Sequence, residues 1–288
     1  MIAARVSWPK RSKKRAVPLS NAQVEILSVL ASQRDPESYV AGATPLNLAG
    51  PRYSADIDVF HDREERVASA AIGDAAILNA AGFEVRWLRQ LPLVYVAEVS
   101  GPSGSTRLEW LADSDFRFFP VMPDQTFGFV LHPVDLAMNK AMAAAGRREV
   151  RDLVDLVTVH RAILPLGAVI WAAVEKSPGF TPEGLIAEIR RNSQHPEAEW
   201  RNIATAEPVD PKSMTAELRA ALEEAEDFLS QMPTERLGLL FLEHGKAVQP
   251  DPSRLTRYET HAGRRRGHWP SSLEIGTAMM ESYGHKDS

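Results

Sequence analysis

The sequence predicts an α/β fold, a mixed sheet flanked by helices, with a helical region after it. Three observations lead there. Short runs with the two-residue alternation of strands end at Phe60 and recur at 83–88, 93–99 and 106–111. Segments with helical spacing separate and follow them, at 62–81, 133–145 and 147–163. Beyond residue 165 the helical spacing takes over, at 166–175, 181–191 and 213–231.

The boundaries have local causes. Ser20 or Asn21 can cap a first helix carrying Val24, Ile26, Leu27 and Leu30 on its apolar side. A short helical turn over 44–50 ends at Gly50-Pro51, and Gly82 ends the alanine-rich helix before the chain turns into a strand. Gly101-Pro102-Ser103-Gly104 is a turn between two strands. Asp113–Asp124 reads as a polar loop punctuated by aromatic residues. Pro133 suits the first turn of a helix, where its missing N–H costs nothing, and Gly146 separates that helix from the next. Leu237–Leu242 and Lys246–Gln249 flank His244-Gly245 as a small hairpin.

Composition narrows the function classes. The 288 residues are 44% hydrophobic and 25% charged, ordinary for a globular protein able to bury a substantial core. There is no cysteine, which excludes disulfides, thiolate metal sites and cysteine nucleophiles. No apolar run reaches the roughly 18–20 residues of a membrane span, and the N-terminus lacks a signal peptide's apolar stretch, so a cytoplasmic location with no membrane partner is expected. The net charge of −5 argues against a wholly basic nucleic-acid binder. Local basic segments remain: residues 1–18 read as a flexible arm, and the tail holds Arg264-Arg265-Arg266-Gly267-His268-Trp269. Either segment could be a solvated extension or a contact to RNA. The domain reading is therefore an arm at 1–18, a core at 19–165 and a helical region at 166–288. The histidines show no metal-ligand spacing, and no internal repeat or serine-nucleophile elbow is present.

Chemistry concentrates at residues 39–60, YVAGATPLNLAGPRYSADIDVF. Asp56 and Asp58 alternate with Ile57, so in a strand both carboxylates project from one face while Ile57 turns into the core. A D-x-D pair in a loop is commonly a solvated turn. The apolar continuation through Val59 and Phe60 places this one in a strand, where acids are scarce. Two carboxylates side by side repel unless a cation lies between them, and a hard divalent ion such as Mg²⁺ or Mn²⁺ prefers carboxylate oxygen and substrate phosphate. The glycine-bearing turn Gly42-Ala43-Thr44 allows backbone N–H groups to approach a phosphate, and Arg52 and Ser54 lie within reach of anionic groups. The residues thus point to a metal–triphosphate site.

Gly42-Ala43-Thr44-Pro45-Leu46 followed by Arg52-x-Ser54-x-Asp56-x-Asp58-x-Phe60 resembles the first motif of the AbiEii/AbiGii-type toxin nucleotidyltransferases, within the DNA polymerase β-like nucleotidyltransferase superfamily. The family's second small residue is commonly glycine or serine, where this chain has Ala43. A distal motif is similar as well: Asp135-Leu136-x-x-x-Lys140, a Gly-Arg-Arg turn, then Arg151-Asp152-x-x-Asp155-Leu156. The resemblance covers about residues 22–165. It implies a nucleotidyltransferase core using Mg²⁺ or Mn²⁺ to move a nucleotidyl group from an NTP such as ATP to a hydroxyl acceptor, RNA or tRNA, as the toxin of a pair with an antitoxin. It also implies a third metal carboxylate on a neighbouring strand, for which Glu109 is the only mid-strand acid in TRLEWL. Asp56, Asp58, Glu109 and Lys140 are the expected catalytic residues. Gly42, Ala43, Thr44, Arg52, Ser54, Lys140, Arg148, Arg151 and Asp152 are the expected nucleotide and phosphate contacts. Asp152 is expected to orient Arg148 or Lys140, and Asp155 to tie down a neighbouring helix. Two rival readings are a binding module that kept the fold without activity and a nucleotidyltransferase acting on a small molecule such as an antibiotic.

Overall fold

The computed structural model describes residues 19–265 apart from residues 49, 115, 178 and 207. The basic arm expected over 1–18 and the tail beyond Arg265 lie outside the described residues.

The chain begins with α1 (Asn21–Leu30), β1 (Ser38–Ala41), the single turn α2 (Ala43–Leu46), β2 (Asp56–His61) and α3 (Glu64–Ala80). Three long strands follow: β3 (Glu84–Leu91), β4 (Val94–Gly101) and β5 (Gly104–Ala112). The loop after them holds short strands β6 (Phe116–Arg117), β7 (Met122–Asp124) and β8 (Gly128–Val130), more order than the sequence announces there. Seven strands form one mixed sheet in the order β3-β4-β5-β2-β1-β8-β7. β2 runs parallel to β5 and β1 parallel to β8, and the other neighbours are antiparallel.

One face of the sheet is closed by α1 and α3. Ser20 caps α1 through a full capping box with Gln23, and Ile26, Leu27 and Leu30 go into the core. Val24, expected on the apolar side, is 45% exposed. It lies two residues from both Ala22 and Ile26, about 200° round the helix from each, so it faces outward. Val67, Ala71 and Leu78 of α3 join Ile57, Val59, Ala97, Leu108 and Trp110 of the sheet in the same core.

The second core is helical. It comprises α4 (Pro133–Gly146), α5 (Val150–Ala162), α6 (Leu166–Ala173), α7 (Pro182–Asn192), α8 (Glu197–Trp200) and α9 (Pro211–Gln231). Every residue of α6 is buried, and Leu218, Leu222, Ala225 and Leu229 of α9 pack into the cluster that holds Leu153 and Val157 of α5. One apolar core therefore runs from α4 and α5 through the helices that follow them. The C-terminal part adds β9 (Leu240–Glu243), β10 (Lys246–Val248) and β11 (Glu259–His261) as a small antiparallel sheet, and β12 (Arg264–Arg265) pairs β6. The expected hairpin is present with its first strand starting at Leu240, and His244 and Gly245 take the positive φ angles its turn requires. Tyr53 N–H donates to Ala204 O at 2.9 Å and Ala206 N–H to Pro51 O at 2.8 Å, which anchors the segment entering β2 to the loop after α8. No single helix among the described residues is long and apolar enough to cross a membrane.

Candidate active site

The parallel pairing of β2 and β5 sets Asp58 beside Glu109 and Asp56 beside Arg107. Ile57, Leu108 and Trp110 turn into the helix-covered core, so the three acids share the other face. Asp56, Asp58 and Glu109 each offer a carboxylate oxygen, and these oxygens lie within 4.8 Å of one another.

Small residues next to the acids make this crowding possible. Gly42, at the end of β1, has φ of 70°, and a Cβ there would lie 1.9 Å from Asp58 Oδ2. The glycine is required to make room for the Asp58 carboxylate, where approach of a phosphate was expected. Thr44 is 1% exposed, and its hydroxyl donates to the Asp56 carbonyl at 2.5 Å. Ser54 Oγ bonds both the Asp56 carbonyl and its Oδ1 at 3.0 Å. Both hydroxyls are therefore engaged in fixing the strand that bears Asp56, where a bond to substrate phosphate was expected. Ala43 is buried behind them with no polar atom in its side chain.

Asp58 carries the electrostatic consequence. Burial, then the neighbouring charges of Asp56 and Glu109, push its carboxyl up to about 7, against the opposing pull of Lys140 and Arg151. Glu109 is held by Arg107, whose Nε donates to Oε1 at 2.6 Å. Arg151 Nη1 lies 3.9 Å from Asp56 Oδ2. The donor set is oxygen only and anionic, with partial compensation by cations. That chemistry fits a hard divalent ion such as Mg²⁺ or Mn²⁺ and gives no nitrogen or sulfur for a softer one.

Lys140 comes from α4, whose start is fixed by His132: its Nδ1 accepts the Val134 N–H at 3.2 Å, with Pro133 in the first turn. The amine is buried and lies 2.7 Å from Asp155 Oδ2. The same carboxylate accepts from Arg52 Nε and Nη2, both at 2.7 Å. Arg52 is 4% exposed, so the cation expected to face substrate is instead the far jaw of a clamp. Burial alone would raise the Asp155 carboxyl, but Lys140 and Arg52 outweigh it and hold it below the usual range.

The remaining expectations divide. Arg148 donates to the Gln194 carbonyl and pairs Glu199, so it is turned onto the 194–199 segment. Asp152 takes Arg147 in a two-pronged pair, where Arg148 or Lys140 was expected as its partner. Asp155 ties α5 to the neighbouring α4 through Lys140, as expected, and what sequence reasoning misses is its second partner, Arg52. The signal at Asp155 is the four-residue spacing from Arg151, which puts both on the face of α5 that looks toward β2. The partners of the clamp, Arg52 and Lys140, lie far off in sequence and leave no local trace.

No protein-family model matches the chain, and no curated protein matches it. Among solved structures, the chain is similar to MenT4, a nucleotidyltransferase toxin from Mycobacterium tuberculosis, at 17% identity and a TM-score of 0.48, over 72% of this chain and 82% of that one. It is also similar to a candidate nucleotidyltransferase from H. pylori, at 15% identity and a TM-score of 0.42, over 72% of this chain and 92% of that one. A third is Cid1, described as having RNA terminal uridylyl transferase activity, at 10% identity and a TM-score of 0.29, over 83% of this chain and 68% of that one.

Proposed function

We propose that the chain is a divalent-metal-dependent nucleotidyltransferase that moves a nucleotidyl group from an NTP to a hydroxyl acceptor. The observation that carries this is the gathering of Asp56, Asp58 and Glu109, with Asp58 held near 7 because its charge is only partly answered. A site in that condition gains from added positive charge at neutral pH, and a divalent ion supplies more of it than a proton does. The bound ion, Mg²⁺ or Mn²⁺ held by these three carboxylates, would polarise the triphosphate and offset the charge of the transition state.

The chain's own groups do the rest. Lys140 and Arg151 set positive charge beside Asp58 and Asp56, where the triphosphate adds negative charge. Asp155 and Arg52 fix the Lys140 amine in place. Glu109 orients the acceptor hydroxyl and takes its proton. The acceptor oxygen bonds the α-phosphorus as the bond from that phosphorus to the β-phosphate oxygen breaks, and pyrophosphate leaves. Thr44 and Ser54 hold Asp56 in register through this charge redistribution.

The finer reading is that the NTP is ATP or a related nucleotide, the acceptor is RNA such as tRNA, and the protein is a cytoplasmic toxin restrained by a cognate antitoxin. Arg148, Asp152 and Arg52 then act by positioning the fold around the nucleotide. The test is transfer of label from each of the four α-phosphate-labelled NTPs onto total RNA and onto a panel of small hydroxyl and amino compounds. Label on RNA, lost with EDTA and lost in Asp58→Asn, is expected. Label on a small compound alone would move the acceptor class. No transfer and no pyrophosphate release with any NTP would overturn the reading.

A further inference from the structure

The acids occupy one end of a wider surface. Cross-strand pairing continues their face over β5, β4 and β3 in three rows. Asp56 pairs Arg107, Arg107 pairs Glu98, and Glu98 pairs Arg86. In the next row Asp58 and Glu109 lead through Val96 to Arg89. The third row is apolar: Phe60, Leu111, Val94 and Leu91. Opposed residues in paired strands point to the same side of a sheet, so these rows form one face.

That face is unlike its reverse. The reverse carries Trp87, Tyr95 and Trp110 in ring contact, with α1 and α3 packed over it. On the acid-bearing face, Arg86 and Arg107 have side chains 63% and 55% exposed, and Arg89 is exposed. Leu88, Leu91 and Leu93, at the end of the β3–β4 hairpin, make up three of the seven large apolar residues exposed among the described residues. The register slips at Leu88, which adds a residue to β3 and turns this corner outward.

We propose that this β3–β4–β5 face is the docking track for the acceptor, a single-stranded polynucleotide whose terminal hydroxyl reaches Glu109. The proposal rests on the nucleotidyl-transfer reading above. Two arguments select this occupant. Attack and departure at a phosphorus are in line, so acceptor and pyrophosphate lie on opposite sides of it. Lys140, Arg151 and Asp155 stand on the β2 side of the acids, on α4 and α5, which leaves the β5 side for the acceptor. The second argument is complementarity. Arg107 and Arg86, each paired to an acid (Glu109 and Glu98) yet more than half exposed, and the exposed Arg89 match phosphates, and Leu91 of the apolar row with the neighbouring Leu93 offers a surface for bases. Glu98 and the three site acids oppose a polyanion, so docking is expected to strengthen when a divalent ion neutralises the acids.

The experiment is fluorescence anisotropy of end-labelled mixed-sequence 12-nucleotide RNA and DNA strands with the full chain, in Mn²⁺ and in EDTA. Calorimetry of Mn²⁺–ATP binding runs beside it on the same samples. Arg89→Glu combined with Arg86→Gln is expected to weaken oligonucleotide binding about tenfold and leave ATP affinity within twofold of the parent. For each phosphate that the variant no longer neutralises, the slope of log affinity against log salt flattens by about 0.7. Leu91→Ser alone is expected to weaken binding without changing that slope, and thermal midpoints check that each variant folds. Oligonucleotide affinity unchanged in the arginine variant overturns the track while ATP binding leaves the enzyme reading standing. Failure of the parent to bind either strand also overturns it. Absence of binding of all four NTPs to the parent in the same calorimetry would instead sink the nucleotidyl-transfer reading.

Discussion

Asp58 and Asp155 are both buried carboxylates, and both feel Lys140, yet the structure treats them oppositely. Asp155 has its charge answered twice over, by the Lys140 amine and the Arg52 guanidinium, each at 2.7 Å, and its carboxyl is held below the usual range. Asp58 sits among Asp56 and Glu109, with Lys140 and Arg151 as weaker opposing influences, and its carboxyl rises to about 7. The difference teaches what each group is for. A carboxylate surrounded by its own cations is finished and holds elements together, whereas one surrounded by other carboxylates is left to take up a proton or, as proposed above, a metal ion.

The largest test breaks the finished cluster. Asp155→Ala leaves Arg52 and Lys140 buried with no carboxylate between them, and truncating one side of a buried pair costs about 3–5 kcal/mol. Chemical denaturation is expected to show that cost, and a change below about 1 kcal/mol would mean the clamp holds nothing. The second test sharpens the contrast through pH. In the metal-free protein the Asp58 carboxyl binds its proton more tightly folded than unfolded, so folding takes up a proton between the unfolded value of about 4 and about 7. The stability tied to this carboxyl is therefore fully present below about pH 4, is lost as pH rises from about 4 to about 7, and changes no further above that. Asp58→Asn is expected to raise the thermal midpoint by about 2–6 °C at about pH 8 in EDTA and to leave it nearly unchanged at about pH 4. Equal effects at both values would show that the carboxyl is not raised. The smallest effect belongs to Thr44→Val. It removes one donor from the Asp56 carbonyl while Ser54 still donates to it, so a cost of about 1 kcal/mol is expected, and a larger one if Ser54 is removed too.

Legibility follows the range of the interactions. The D-x-D alternation is a strand-local property, and Asp56, Ile57 and Asp58 divide between faces as the two-residue period requires. The capping box at Ser20 and the proline in the first turn of α4 are legible for the same reason, since their partners lie within three residues. Thr44 and Arg52 mislead because each looks like a free phosphate ligand until a partner 12 or 103 residues away claims it. The stretch over 113–124 looks irregular in the sequence because β6 finds its partner strand only at Arg264–Arg265, far along the chain.

By itself the sequence determined the alternation that aims two acids to one side of a strand, the helices and their caps, and the absence of thiol chemistry. Tertiary structure alone decided that Glu109 stands on the parallel strand directly beside Asp58, that Gly42 yields its Cβ space to that carboxylate, and that Asp155 grips Lys140 and Arg52. Periodicity is written in neighbouring residues, but charge compensation depends on which side chains meet across the fold, and distance in sequence hides that meeting.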